Sequence, residues 1–394
     1  MGDDIVITGM GVLSPIGSDE HSFWNSLRSG HCGAGPVTGL DTSELPRKVA
    51  CQIHTPLVNP PTCGRAAQLA VLAARQAVKD SALDSGVLAQ ARIHTVVGTT
   101  MGETRAIEGR LTQPAAEWLN ADHVAEISAE SPGSLARSVQ TDLQCHGSAL
   151  DLYGACAAGN MAITSAVRRL RSRWCDIALC GGADGFSILA FLGFMRLRVM
   201  AGESCRPFDE QRDGLWVGEG AAMFALERES HARARGARIR ARISGCATTC
   251  ETYHPTRPDP AGEGLSRATQ SALRDAGLQS SDVDYICAHG TGTPQNDAIE
   301  VTMMDQLFPR GVPFSSIKSL TGHTMGAAAA IEAACCVLSL QHQTMIPTWG
   351  LRQVLTPCSA HALTGTIQAA KLRHVVNNSA GFGGYNSSIV LTAA

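Results

Sequence analysis

Apolar positions along the chain fall into short blocks alternating with amphipathic stretches. Residues 5–8 form an apolar strand signal that runs into glycines and a turn at Ser14-Pro15. Residues 64–83 contain LAVLAARQAV, whose apolar positions recur at helical spacing, and 92–98 reads as a second strand. A helix is predicted over 156–169, CAAGNMAITSAVRR, followed by the strand CDIALCGG closed by Gly181 and Gly182. The same order then returns. A strand over 241–245 leads into a polar loop, the helix LSRATQSALRDAGL closes at Gly277, and the strand VDYICAHG ends at His289. The loop SIKSLTGH, a small-residue helix over 325–340 and the strand HVVNNSAG complete the second unit.

This alternation predicts an α/β protein with a largely parallel, buried sheet. The repeated order divides it into two pseudo-symmetric halves, residues 1–235 and 236–394, with a polar crossing RESHARARGARIRAR over 228–242. Such halves pack as a pseudo-twofold pair, and the loops at the carboxyl ends of their strands meet in a shared cleft. The helix starting at Cys156 then corresponds to the one following His323.

With 394 residues and 44% apolar side chains, the chain buries a sizeable core, which excludes disorder and a disulfide miniprotein. Charged residues make up 17%, below the roughly 25% of ordinary soluble chains, so part of the surface is expected to lie under a partner, a homodimer first. The net charge of -3 supplies no general field for nucleic acid. Fourteen cysteines show no CxxC and no convergent zinc spacing, and Cys335-Cys336 sits in an apolar helical stretch that suits buried thiols. The acidic start MGDDIVITGMGVLSP is unlike an export signal, and no run of about 18 apolar residues marks a membrane span. The expectation is a reduced, cytoplasmic protein.

Among the cysteines, Cys156 stands apart because it opens a small-residue helix between Tyr153-Gly154-Ala155 and Ala157-Ala158-Gly159. A helix N-terminus stabilises a thiolate and offers backbone N–H groups to an oxyanion, which predicts a lowered thiol pKa. His289 closes an apolar strand before GTGTP, where α/β proteins place chemistry. His323 precedes the second small-residue helix, five residues after Lys318; lysine stands only at 48, 79, 318 and 371. Phe382 lies among Gly381, Gly383 and Gly384, which permit close approach of backbone to a ligand. Neither a dinucleotide fingerprint nor a phosphate loop is present.

Together, ITGMGVLSPIG, CRPFDEQRDGLWVGEGAAMFALE, CAHGTGTPQNDAIE, SSIKSLTGHTMGAAAAIE and NNSAGFGGYNSS, in this order, resemble the β-ketoacyl-acyl-carrier-protein synthases. The elongating ketoacyl synthase II type and the type II polyketide ketosynthases are the most similar, over essentially the whole chain. The resemblance implies a thiolase-like duplicated layered fold and decarboxylative Claisen condensation of an acyl thioester with malonyl-acyl-carrier-protein. Cys156 then corresponds to the acyl-accepting nucleophile, and His289 and His323 to the holders of the malonyl carbonyl. Lys318 and Glu332 match the supporting ion network, the backbone N–H groups of Cys156 and Phe382 the oxyanion donors, and Phe382 the gate. Thr291 and Thr293 match the pantetheine-binding threonines; Arg198 and Arg65 fall where carrier contacts are expected. No tightly bound cofactor is implied, because substrates arrive on carrier phosphopantetheine. The implied partners are acyl carrier protein and a second ketosynthase chain, the same or related.

Three readings stay open: fatty acid elongation, specialised polyketide or polyene synthesis, and a non-catalytic carrier-binding partner subunit. The cysteine at 156 speaks against the last. Departures from the family pattern are YGACAAGN around the nucleophile, Ala380 where Phe is frequent, and Glu103 and Arg105 in the segment 99–112 beside the expected acyl pocket. That segment predicts a more polar acyl chain, or else a solvated loop.

Overall fold

The computed structural model describes residues 3–57, 64–104, 108, 134–356, 358 and 360–394. The first half supplies β1 (Ile5–Leu13), β2 (Ile93–Thr99), β3 (Gly147–Tyr153), β4 (Ile177–Asp184) and β5 (Gly220–Arg228). Among them lie α1 (Arg65–Asp80), α2 (Ala158–Arg171) and α3 (Ile188–Arg196). The second half supplies β6 (Ala241–Cys250), β7 (Tyr285–Cys287), β8 (Pro313–Ser315), β9 (His374–Gly381) and β10 (Tyr385–Ala393). Its principal helices are α4 (Glu263–Ala276), α5 (Pro294–Leu307) and α6 (Ala328–His342).

In space the strands run β3-β2-β4-β5-β1, then β6-β10-β9-β7-β8. A short antiparallel pairing of residues 5–7 with 241–243 joins the two sets. From that seam outward, each set pairs antiparallel, antiparallel, parallel, parallel. The same order and the same directions in both sets make the architecture a duplication, as the repeated sequence order predicts. The expectation of a largely parallel sheet is corrected: half of these pairings are antiparallel. The last strand of each half returns between its neighbours, and β9 and β10 are joined by the short turn Phe382–Gly384, a connection only antiparallel strands allow.

Helices α2 and α6 lie back to back in a central layer, where Ile163 and Val167 of α2 and Ile331 of α6 share one apolar core with Phe224 of β5 and Val375 of β9. Helix α1 covers the outer face of the first sheet, and α4 with α5 covers that of the second. Because α6 is enclosed on all sides, its apolar positions show no stripe. The segment Met325–His342 is long and apolar enough to cross a membrane, and 89% of it is buried inside the protein.

Glycines read from sequence as strand ends lie inside strands. A Cβ on Gly9 would stand 2.0 Å from the Ala77 carbonyl oxygen of α1, and one on Gly245 would stand 2.1 Å from that of Ala272 in α4. Matching positions in the two halves are bare so that an outer helix can approach the backbone. Strands β1 and β6 therefore continue past the predicted boundaries.

Candidate active site

Each half ends its third strand in a way that presents one reactive group. After β3 the chain passes Gly154 to Ala155, held at φ +47, and turns through a 3-10 turn at Ala155–Ala157 into α2. After β8 it forms the single helical turn Lys318–Thr321, passes His323, and enters α6 through the matching 3-10 turn Met325–Ala327, where Met325 has φ +57. Left-handed backbone at a residue with a Cβ is costly and persists where the surroundings enforce it. Here it turns Cys156 and His323 toward the same point between the halves. His289 lies just past β7 and Phe382 just past β9.

The ligating atoms of Cys156, His289 and His323 lie within 4.8 Å of one another, and all three side chains are buried. The two imidazole rings meet edge to face with centroids 5.4 Å apart. His323 Nδ1 accepts the Met325 backbone N–H at 3.2 Å, and His289 Nδ1 faces the Lys318 ammonium at 3.4 Å. An ammonium has no lone pair, so His289 Nδ1 accepts as well. Both neutral rings therefore carry their proton on Nε2. Burial, reinforced by Lys318, holds both histidines well below their ordinary value near 6.5. At neutral pH the site presents two uncharged N–H donors beside a thiol.

The lowered thiol pKa expected from the helix start is overridden. Burial pushes Cys156 up to about 12, against downward pulls from Lys318 and from the Phe382 backbone N–H, which is directed at the sulfur. The thiol is the resting form. Ser379 Oγ donates to the Cys156 carbonyl at 2.9 Å, fixing this peptide, and a Cβ on Gly381 would crowd the Cys156 nitrogen at 3.0 Å. The backbone nitrogens of Cys156 and Phe382 thus flank the sulfur with no side chain between them.

Lys318, 1% exposed, forms an ion pair with Glu332 and donates to the His289 carbonyl at 2.5 Å. Burial lifts Glu332 to about 7 while Lys318 pulls it down. By spacing alone Cys156, His289 and His323 make a metal-ligand set among the described residues. The ammonium bonded behind His289 already places positive charge there, which suits an arriving oxyanion better than a cation.

A cavity of about 410 Å³ leads from this cluster to the surface. Phe194 and Leu215 form its apolar wall, and Thr291 and Thr293, with hydroxyls 2.8 Å apart, line its polar side. The Phe382 ring, 36% exposed, lines the same cavity with its centroid 5.8 Å from that of Phe194. Arg198 and Arg257 are exposed at the mouth.

Arg65, expected as a carrier contact, lies elsewhere. Its guanidinium makes a bidentate pair with buried Glu219 at 2.9 and 3.0 Å, and it also donates to the Ile53 carbonyl. The reading of Glu103 as a polar element of the acyl pocket is likewise corrected. Its buried carboxylate accepts the Ala66 and Ala67 N–H groups, capping α1, whose own N-cap Gly64 has no side chain to do so. Arg105 lies outside the described residues.

Several supporting residues escaped sequence reasoning. Glu300 accepts the His289 and Gly290 N–H groups at 2.6 and 2.7 Å, and Asp297 accepts those of Thr291, Gly292 and Phe208. The spacing of Asp297 and Glu300 on one face of a helix directly after GTGTP was the available signal. Asp184, at the end of β4, accepts from the Thr99 hydroxyl and from the N–H groups of Thr100, Met101 and Gly326, so it ties β2 to the start of α6. Asn160 of α2 and Asn377 of β9 bond each other across the halves.

Comparison with known proteins bears on this geometry. A family model described as beta-ketoacyl synthase, N-terminal domain, matches residues 2–232, and the corresponding C-terminal domain model matches 240–352. The chain is 34% identical over 405 residues to 3-oxoacyl-[acyl-carrier-protein] synthase 2 of Staphylococcus aureus (strain COL), covering 98% of this chain and 97% of that protein. It is 33% identical over 396 residues to nodulation protein E of Rhizobium sp. (strain N33), covering 97% of each. The solved structure of the ishigamide ketosynthase/chain length factor superposes with a TM-score of 0.95 at 35% identity, covering 100% of both chains.

Proposed function

This chain belongs to the beta-ketoacyl synthase family, and from that premise we propose that it catalyses decarboxylative condensation of a carrier-bound acyl thioester with malonyl-acyl-carrier-protein. The observation that carries the reading is the convergence of one buried thiol and two neutral imidazoles, from opposite halves, with a ring nitrogen of each within 4.8 Å of the sulfur and of each other. Cys156, losing its proton as it attacks, takes the acyl group, and the carrier thiol leaves. The backbone N–H groups of Cys156 and Phe382 hold the oxyanion. Malonyl-carrier then enters with its thioester carbonyl on His289 and His323. Its C–C bond breaks, carbon dioxide departs, and the electron pair moves onto that carbonyl oxygen. Donors already aimed there bind this charge more strongly than the ground state, which is what lowers a barrier. The resulting enolate carbon attacks the acyl-Cys156 carbonyl, the cysteine thiolate leaves, and a 3-oxoacyl-carrier product forms.

Lys318 and Glu332 position His289 and supply charge without covalent work, Thr291 and Thr293 hold the pantetheine arm, and Phe382 gates access to Cys156. Arg198 at the mouth suits contact with the carrier; Arg65, committed to Glu219, is withdrawn from that role. A second ketosynthase-type chain, the same or related, fits the open edge of β3, where Leu150 and Tyr153 are 42% and 47% exposed. All cysteines among the described residues are free thiols, which fits a reducing compartment such as the cytoplasm.

Elongation in fatty acid synthesis is the pathway favoured by the synthase 2 relative. Specialised polyketide or polyene synthesis is the second reading, favoured by the likeness to the ishigamide ketosynthase/chain length factor; Glu103 no longer supports it. Competition among saturated, polyunsaturated and aromatic acyl carriers, followed by mass analysis of the 3-oxo products, separates the two. Saturated long chains gain roughly 0.8 kcal/mol per buried methylene and dominate under the first reading. Selective extension of conjugated chains would overturn it.

A further inference from the structure

His323 sits in a segment whose backbone needs restraint from outside. Gly322 before it has φ +64, which glycine takes without cost, and Met325 after it has φ +57, which is costly and persists where neighbours enforce it. The direction of the ring follows this backbone, because Nδ1 is fixed on the Met325 N–H. The restraint is a short ladder of extended chain. The His323 N–H donates to the Trp216 carbonyl at 2.7 Å, and the Gly218 N–H donates to the His323 carbonyl at 2.9 Å. On its other side the same segment accepts the Cys51 N–H on the Val217 carbonyl at 2.8 Å and gives the Glu219 N–H to the Cys51 carbonyl at 3.1 Å. The ladder ends on the buried Glu219 carboxylate, which gathers four donors. Its Oε1 accepts the Ile53 N–H and Arg65 Nη2 at 2.8 and 2.9 Å, and its Oε2 accepts Arg65 Nε and the Phe186 N–H at 3.0 and 3.1 Å. Phe186 follows closely on Asp184, whose carboxylate takes the Gly326 N–H on the far side of His323.

We infer that Glu219, locked by Arg65, is a positioning residue for His323. Its consequence for turnover rests on the reaction proposed above, in which the His323 ring holds the malonyl carbonyl. Neither Glu219 nor Arg65 lines the cavity, so neither touches substrate there; what they fix is the segment from which the His323 backbone hangs. A carboxylate suits this task because hydrogen bonds to an ionised group are shorter and stronger, and a bidentate arginine pair also sets direction. Without that carboxylate the Ile53 and Phe186 N–H groups lose their acceptor and the 216–219 segment loses its anchor. A shift of about 1 Å at a positioned catalytic group costs on the order of 10²-fold in rate. His289 is anchored elsewhere, by Glu300 on its N–H and Lys318 on its carbonyl, and serves as an internal control.

The test compares E219Q and R65K with the unaltered full-length protein, alone and combined with H323A or H289A, in malonyl decarboxylation. E219Q keeps the volume but turns an amide donor toward N–H groups, and R65K keeps the charge but loses the bidentate pair. E219Q should lower kcat for decarboxylation by roughly 10- to 100-fold, and R65K by less, with KM moving little. In the H323A background neither substitution should reduce the residual rate further, whereas in H289A each should still cost severalfold. Equal losses in both backgrounds would mark a merely structural role and overturn the inference, as would an unchanged kcat in the single variants. The Arg65 side chain is 26% exposed, so R65K carries the test where E219Q does not fold. Spectra of protein labelled with ¹⁵N in its histidines give a second readout that needs no turnover. The His323 ring signals should move in both variants while those of His289 stay in place; movement of neither ring, or of both alike, contradicts the inference. A selective shift at His323 in a protein that does not decarboxylate malonyl-carrier would sink the proposed reaction and spare the coupling.

Discussion

In the proposed reaction the two histidines act through where their protons sit. With Nδ1 of each ring occupied from behind, replacing either ring removes one of two donors aimed at the same oxygen. H289A and H323A should each lower malonyl decarboxylation by roughly 10²–10³-fold in kcat, with initial acylation of Cys156 less affected. The double variant should fall short of the product of the two losses, because both address one developing charge. Acylation and carbon dioxide release measured separately check this. The same burial has a stability consequence with a definite sign. A histidine depressed below 6.5 in the folded state stays neutral while the unfolded chain binds a proton, so its contribution is full above pH 6.5 and is lost as pH falls below it. Glu332, lifted to about 7, acts oppositely: stability is lost as pH rises from its unfolded value through 7. Comparing denaturant unfolding of the unaltered protein with that of H323Q isolates the histidine. Between pH 7.5 and 5.5 the unaltered protein should lose more stability, by up to roughly 1.4 kcal/mol per pH unit.

At the scale of elements, most of the layout was legible because each half alternates strand and helix in the same order and closes on glycine-flanked turns. The helices opening at Cys156 and after His323 were matched from sequence, and both are central helices entered through a left-handed residue and a 3-10 turn. Buried polar anchors were less visible, since a single Asp or Glu at a strand end looks like a turn residue until its donors are known. Arg240, in the segment predicted as a polar crossing, is 3% exposed and pairs with Glu20 and Asp80. Glu103 misled for the same reason, because its partners are backbone groups of a helix nearly forty residues earlier. Asp184 gives the clearest test of such anchors. D184N keeps the volume but turns an amide donor toward groups that are themselves donors, which should cost roughly 2–4 kcal/mol. Calorimetric unfolding would show a lowered Tm, with loss of His323-dependent decarboxylation even where the protein remains folded.

For the molecule as a whole, two pseudo-equivalent halves bring unlike groups to one point: a thiol at the start of α2 and imidazoles before α6 and after β7. Among the described residues β3 is paired on one side only, and its free edge carries exposed Leu150 and Tyr153, where a second chain fits. L150E should shift the sedimenting species from dimer toward monomer, and an unchanged dimer would place the interface elsewhere. The central claim is that this one chain carries the acyl group on Cys156 and condenses it using its own histidines. Incubating the isolated protein with an acyl-carrier thioester and then with malonyl-carrier labelled in its free carboxyl, while following intact mass and released carbon dioxide, tests it directly. The account predicts a single acyl adduct that maps to Cys156, is absent in C156A, and disappears as labelled carbon dioxide and 3-oxoacyl-carrier appear. An adduct on another cysteine, or condensation that survives C156A once a second ketosynthase is added, would contradict it and assign the chemistry to the partner.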